Sequence, residues 1–231
     1  MRTEGQRNMH PASVICSAID QLRGERLLDW NGGAVSARKS ESEFAISPGG
    51  AARKLWVVEP SSVQVHPLGR RVERLLDARP PLGATIHQYL YRHLPSLEVV
   101  IHSHAGWGYQ FSLLGTSSFP ELPQTGPLGA IPVIGDNSRG GASESLDIEE
   151  WNMRFVIPEI AGLIDDWRQA LNLHGVAFIE KGHGYYILGR TWRQALVDAA
   201  RLESACRSVL IWMTMHGAEE MPTWSHPTPK E

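Results

Sequence analysis

Apolar positions along this chain recur at two periods, and the switches between them mark out the elements. From Ala12 to Leu28, residues Val14, Ile15, Ala18, Ile19, Leu22, Leu27 and Leu28 follow helical spacing, with Pro11 suited to the first helical position. Asn31-Gly32-Gly33 then turns the chain. Ala34 to Arg38 and Glu43 to Ile46 predict a hairpin over the polar Lys39-Ser40-Glu41-Ser42 turn. Ser47-Pro48-Gly49-Gly50 makes a tight loop, and short strands are expected at Leu55 to Val58 and Val63 to His66. Arg79-Pro80-Pro81-Leu82-Gly83 is a rigid break before a helix carrying Ile86, Tyr89, Leu90 and His93. Val99-Val100-Ile101 is short and β-branched, the mark of a buried strand, and a helix follows from Trp107 to Leu114.

Residues 115–144, rich in Gly, Pro and Ser, predict substrate-facing loops with one strand at Ala130 to Ile134. A helix near Phe155 to Ala170, strands Val176 to Ile179 and Gly184 to Leu188, and a long helix from Thr191 to about Met215 complete the pattern. The last helix opens on a Thr cap and carries a stripe of Ala195, Leu196, Ala199, Leu202, Ala205 and Leu210. This order predicts an α/β protein: a single-domain α/β/α layered sheet, mostly antiparallel, covered by helices. The domain is expected over residues 12–216, between a flexible N-terminus (1–11) and a Pro-rich C-terminal tail (217–231).

Composition narrows the partners. A chain of 231 residues with 42% hydrophobic content can bury one sizeable core. Net charge is −3 and Lys and Arg are dispersed, so no electrostatic footprint for nucleic acid or an anionic membrane is present. Cys16 and Cys206 both fall in apolar helical contexts, which favours buried thiols over a disulfide and a cytoplasmic location over export. No apolar run approaches the length of a membrane span.

The chemistry concentrates at His102-Ser103-His104, which ends the Val99 strand. Alternate residues of a strand share a face, so the two imidazoles project to one side. Joined by a third imidazole from elsewhere, they leave a metal room for water or substrate, the arrangement of catalytic zinc.

Several stretches together make the chain resemble the class II aldolase/adducin family. Leu27 to Arg38 is similar to that family's opening segment, and Ile46-Ser47-Pro48-Gly49-Gly50 to its "I-T-P-S/T-G" loop. His87, Tyr91, Pro95 and His102-Ser103-His104 match its H…Y…P…H-x-H order without a gap. Phe178 to Leu196, with His183-Gly184, Gly189 and then Ala195-Leu196, matches its third-ligand segment. The resemblance covers about residues 13 to 210. It implies a divalent metal, zinc first and manganese or iron as alternatives, on His102, His104 and His183. His174 competes for the third place but lacks the spacing that follows His183. It also implies a homotetramer acting on a small-molecule substrate.

Departures from the family pattern are equally informative. The acid/base glutamate that the family places four residues before His87 is Gly83 here, and its two phosphate-holding serines are Pro81 and Leu82. Its phosphate-binding asparagine falls on Ala34, and the hydroxyl residue of its loop on Gly49. Each replacement removes a hydrogen bond to phosphate. Asn31, Ser47, Gly49 and Gly50 are the remaining substrate-binding candidates, and Tyr109 and His87 the catalytic ones. Trp107, Trp192 and Trp212 suit helix packing before a substrate pocket, and Arg38 and Lys39 a solvated turn before a carboxylate site.

A retained triad without phosphate ligands points to a metal-dependent carbon–carbon lyase, decarboxylase or aldolase, acting on an unphosphorylated hydroxy- or keto-acid. Decarboxylation needs no base, because its leaving group is carbon dioxide and the metal need only hold the electron pair left behind. Two alternatives stand beside it. A non-haem iron oxygenase of the same fold can use three histidines. A dehydratase of methylthioribulose-phosphate type also uses them, but needs a glutamate after the metal pair, where this chain has Pro123-Gln124-Thr125-Gly126-Pro127.

Overall fold

A computed structural model describes residues 10–51, 54–69, 81, 83–135 and 148–217. Residues 1–9, most of the Arg79–Leu82 break, the later part of the 115–144 stretch and the tail beyond residue 217 lie outside the described residues.

The chain runs α1 (Pro11–Gly24), β1 (Gly33–Arg38), β2 (Glu43–Ile46), β3 (Gln64–Pro67), α2 (Ala84–His93), β4 (Val99–Ser103), α3 (Gly106–Ser112) and β5 (Val133–Ile134). It continues through α4 (Ile148–Trp151), a π-helical turn (Asn152–Val156), α5 (Ile157–Ala170), β6 (Val176–Glu180), β7 (Gly184–Gly189) and α6 (Trp192–His216). Among the described residues, seven strands join one sheet in the order β3-β2-β1-β4-β7-β6-β5. Every pairing is antiparallel except the short one of β5 with β6.

Helices cover both faces, which is why β4, β6 and β7 are buried along their whole length rather than at alternate positions. The period of two shows instead in which helices each residue meets. Val99 and Ile101 pack with Ile15, Ile19, Leu202 and Val209 of α1 and α6, whereas Val100 packs with Leu90, Ile160 and Ile164 of α2 and α5. Local chemistry sets the helix starts. His10 accepts a hydrogen bond from the Ala12 N–H just ahead of Pro11, and Thr191 Oγ1 accepts from the Gln194 N–H.

Three expectations need correction. The first helix stops at Gly24, since Arg26 takes a φ of 58° and turns the chain before Leu27 and Leu28. Only Val133 and Ile134 form a strand in the expected Ala130 to Ile134 segment, with Pro132 in an isolated bridge to Ser118. No strand forms at Leu55 to Val58. Leu55 and Trp56 adopt φ values of 51° and 60°, which a strand cannot contain. Trp56 is buried there and donates Nε1–H to the Asp29 carbonyl at 2.6 Å, leaving Leu55 and Val57 exposed.

Phe178 of β6 lies between two parallel rings, Trp167 at 5.2 Å and Tyr186 at 4.5 Å. It is wholly buried. Phe178→Ala is expected to cost about 3–5 kcal/mol, read as a lowered urea midpoint with unchanged slope.

Candidate metal centre

The site is assembled where β4, β1 and β7 run side by side. His102, the fourth residue of β4, pairs with Ala34 of β1 and Tyr186 of β7. Its ring lies flat on that of Tyr186 at 3.9 Å, which fixes the imidazole plane. His104 falls just past the strand end at Ser103, so it reaches the same side as His102 from the start of a loop rather than from the strand itself. His183 stands in the tight turn joining β6 to β7. The next residue, Gly184, has a φ of +137°, and a Cβ there would collide with the Ser103 carbonyl oxygen. The close approach of the two strands that brings His183 to the other histidines therefore requires glycine.

One ring nitrogen from each of His102, His104 and His183 lies within 4.8 Å of the others. Each ring is held by its second nitrogen. His102 Nδ1 meets the Tyr185 carbonyl at 3.0 Å, His104 Nδ1 the Asn31 carbonyl at 3.2 Å, and His183 Nδ1 the Glu180 carboxylate at 2.8 Å. Carbonyl and carboxylate oxygens only accept, so this network assigns the proton of each imidazole to Nδ1 and leaves Nε2 as a lone pair. His102 Nε2 and His104 Nε2 then face each other at 2.7 Å, two acceptors without a proton between them. Burial, followed by the charges of His104 and His183, pushes the His102 pKa well below its usual value, so protonating that ring is no remedy. A cation does resolve the contact, and pinned histidines with an outer carboxylate are the usual support for one. The residues present fit a divalent metal.

The other sequence candidates are dispersed. Tyr109 on α3 is half-buried, its ring 6.4 Å from that of His104. Asn31 contributes its backbone carbonyl to His104, while its side chain donates to Asp29 Oδ2 at 3.0 Å. Ser47 is buried and accepts the Val35 N–H, bracing β1; Gly49 and Gly50 follow on the outgoing loop. His174 sits before β6, at the end opposite His183, against Gly129. Arg38 donates to the carbonyls of Tyr91, Leu94 and Leu97, and Lys39 pairs with Glu43 on the surface. Trp107 is partly exposed on α3, Trp192 packs on the core, and the Trp212 ring lies tilted against His216.

Two carboxylates that support the site escape sequence reasoning. Glu180 closes an apolar strand run, and Glu203 lies on the apolar stripe of α6, with both oxygens accepting the Trp107 and Gly108 N–H groups at 2.7 and 2.9 Å. An acidic residue at a core-facing position was the signal in each case. Burial pushes the Glu203 pKa up.

Comparison with known proteins fits this geometry. The model of the class II aldolase and adducin N-terminal domain matches residues 13–210. The chain belongs to the class II aldolase and adducin family. It is 27% identical over 227 residues to a methylthioribulose-1-phosphate dehydratase of Methylococcus capsulatus, covering 91% of this chain and all of that protein. Its fold is also that of an L-fuculose 1-phosphate aldolase from Glaciozyma antarctica (TM-score 0.67, 19% identity, 97% of this chain and 82% of the other). A sugar-phosphate aldolase from Thermotoga maritima shares it too (TM-score 0.59, 14% identity, 92% and 97% covered). Among the described residues no helix is long and apolar enough to cross a membrane.

Metal analysis tests the centre. Purified wild type is expected to carry about one divalent ion per chain and His104→Ala none, whereas Glu180→Gln is expected to bind it about 10–100-fold more weakly. Equal metal content in wild type and His104→Ala would remove the assignment. A second expectation concerns acid. Burial lowers the His87 pKa from 6.5 to about 3, so between those values the unfolded chain takes up a proton that the folded chain refuses. Stability should fall as pH drops through this window, and His87→Gln should flatten the slope, measured by urea titrations at stepped pH.

Proposed function

We propose that this member of a lyase family is a divalent-metal-dependent carbon–carbon lyase, decarboxylase or aldolase, acting on an unphosphorylated hydroxy- or keto-acid. The observation that carries this reading is the pairing of the His102, His104 and His183 cluster with glycine at position 83. A bound divalent ion would polarise a carbonyl or carboxylate and stabilise the negative charge developing there. The chain's own part is to hold that ion's ligands. Tyr185, Asn31 and Glu180 keep the three Nε2 lone pairs convergent, and the stacked Tyr186 ring excludes water from one face of His102. Glu180 is committed to His183, so it serves as a positioning residue rather than a free base. Decarboxylation fits such a centre best, since its bond-breaking step asks for no proton abstraction. The residues at 34, 49 and 81 offer no side-chain donor for phosphate. Assembly into a homotetramer belongs to the same reading.

A second reading has its own support, the 27% identity to a methylthioribulose-1-phosphate dehydratase across the whole of that protein. One experiment separates the two. Protein reconstituted with zinc, manganese or ferrous iron is screened against small hydroxy- and keto-acids and against sugar phosphates, with and without oxygen. Turnover of an acid, undiminished without oxygen, is the expected result. Efficient turnover of methylthioribulose 1-phosphate would establish the dehydratase instead, and strict oxygen dependence with ferrous iron an oxygenase.

A further inference from the structure

His104 stands one residue past the end of β4, outside the ladder that fixes His102. Its Nε2 faces that of His102 at 2.7 Å, and two lone pairs at that distance repel. Their approach is therefore imposed by the chain around them. Downstream of His104 the backbone passes through Ala105 into α3, a helix of seven residues. That is well short of the roughly 12 at which helices become even marginally stable alone in water. Tertiary contacts have to set where α3 begins, and with it the path of the chain leaving His104.

Glu203 of α6 supplies such a contact. Its side chain is buried, and its two oxygens accept the Trp107 and Gly108 N–H groups, from the second and third residues of α3, at 2.7 and 2.9 Å. The backbone folds closely round this carboxylate. Gly106 takes a φ of +64°, and a Cβ there would collide with Glu203 Oε2. A Cβ at Gly108 would collide with the Tyr185 ring and stand 2.9 Å from Glu203 Oε1. Upstream, Ser103 Oγ accepts the Ala105 N–H at 3.0 Å while donating to the Leu27 carbonyl at 2.6 Å. Between these two anchors only Gly106 is left. Tyr185 joins this turn to the other ligand of β4, since its ring packs on Gly108 and its carbonyl holds His102 Nδ1. A buried carboxylate is costly unless charge-assisted hydrogen bonds compensate it, and both of these bonds fall on the first turn of α3.

We propose that Glu203 is a positioning residue of the metal centre. Its clamp on α3 fixes where His104 Nε2 stands relative to His102 Nε2, and so sets how tightly a divalent ion is held. Glu203 acts through the backbone at Trp107 and Gly108, whereas Glu180 acts on the ring of His183. The inference rests on the metal-dependent reading above and adds the residue that keeps two ligands converged before an ion arrives. The same clamp carries Tyr109, whose ring lies within 23° of parallel to that of His104 at 6.4 Å, so releasing α3 would shift both.

Two measurements on the full-length protein test this: zinc affinity by competition with a chromophoric chelator, and the visible absorption of the cobalt-loaded form, which reports ligand geometry. Glu203→Gln keeps the size but turns one acceptor into a donor facing an N–H. It is expected to bind zinc about tenfold or more weakly and to shift the cobalt bands, with far-ultraviolet circular dichroism unchanged. Glu203→Asp keeps the charge, falls one methylene short, and should move both readouts in the same direction. Asp198→Asn controls for lost stability. Asp198 is the other buried carboxylate of α6, accepts from Gln194 and Arg201, and lies against Gly175 at the end of β6 away from His183. That variant should melt at a lower temperature yet keep the zinc affinity and cobalt spectrum of wild type. Wild-type affinity and spectrum in both Glu203 variants would overturn the assignment. So would an equal weakening in Asp198→Asn, or failure of both Glu203 variants to fold, since either marks Glu203 as a residue of general stability. In each of those cases zinc binding by wild type leaves the metal centre standing. Wild type that binds neither zinc nor cobalt removes the centre and the clamp together.

Discussion

An imidazole can present a lone pair in a fixed direction only if its other nitrogen is tied, and this requirement organises the centre. Three rings need three acceptors, and each comes from a different part of the fold: the Tyr185 carbonyl on β7, the Asn31 carbonyl in the turn before β1, and the Glu180 carboxylate at the end of β6. The antiparallel register of β4 with β7 does most of this. Pairing His102 with Tyr186 sets the neighbouring Tyr185 carbonyl against His102 Nδ1 and the Tyr186 ring against the imidazole face. A one-residue slip would turn His102 to the α1 and α6 side of the sheet and dissolve the site. The buried aromatic column of Trp167, Phe178 and Tyr186 opposes that slip, because its rings stack only in the observed register.

Features of the fold that depend on periodicity were legible in the sequence. The hairpin of β1 and β2, the β4 strand, and the pair β6 and β7 follow their apolar patterns to within a residue or two. Layering was legible for the same reason, since whole-length apolar strands need cover on both faces. The Leu55 segment was not, because its apolar run answers to one tryptophan seeking a buried hydrogen bond rather than to sheet alternation. The π turn at Asn152 was equally hidden. It is a change in hydrogen-bond register, and the side-chain pattern on either side reads as one helix.

The centre divided along similar lines. His102, His104 and His183 were legible because a metal site needs particular residue types at particular spacings, and the structure brings those three together. Their supports were legible only in part. Backbone carbonyls carry no residue signature, so the contributions of Tyr185 and Asn31 had no trace in the sequence. Glu180 and Glu203 did leave one, as carboxylates at positions the apolar pattern reserves for the core. Ser47, singled out as a substrate ligand, braces β1 through the Val35 N–H, a use of its hydroxyl that the loop motif alone does not distinguish from substrate binding.

Charge gives the last step of the argument. Metal-binding imidazoles are neutral, so a divalent ion there would keep its full charge and favour an anionic ligand. Position 83 is glycine, so that residue offers no side-chain carboxylate to offset it. Glu180, the carboxylate that does touch the triad, reaches it through His183 and is itself buried. On the proposed function, an anionic substrate would bring the charge that balances such an ion. Under the proposed function, the residues at 34, 49 and 81, which leave a phosphate without side-chain donors, would suit an unphosphorylated acid.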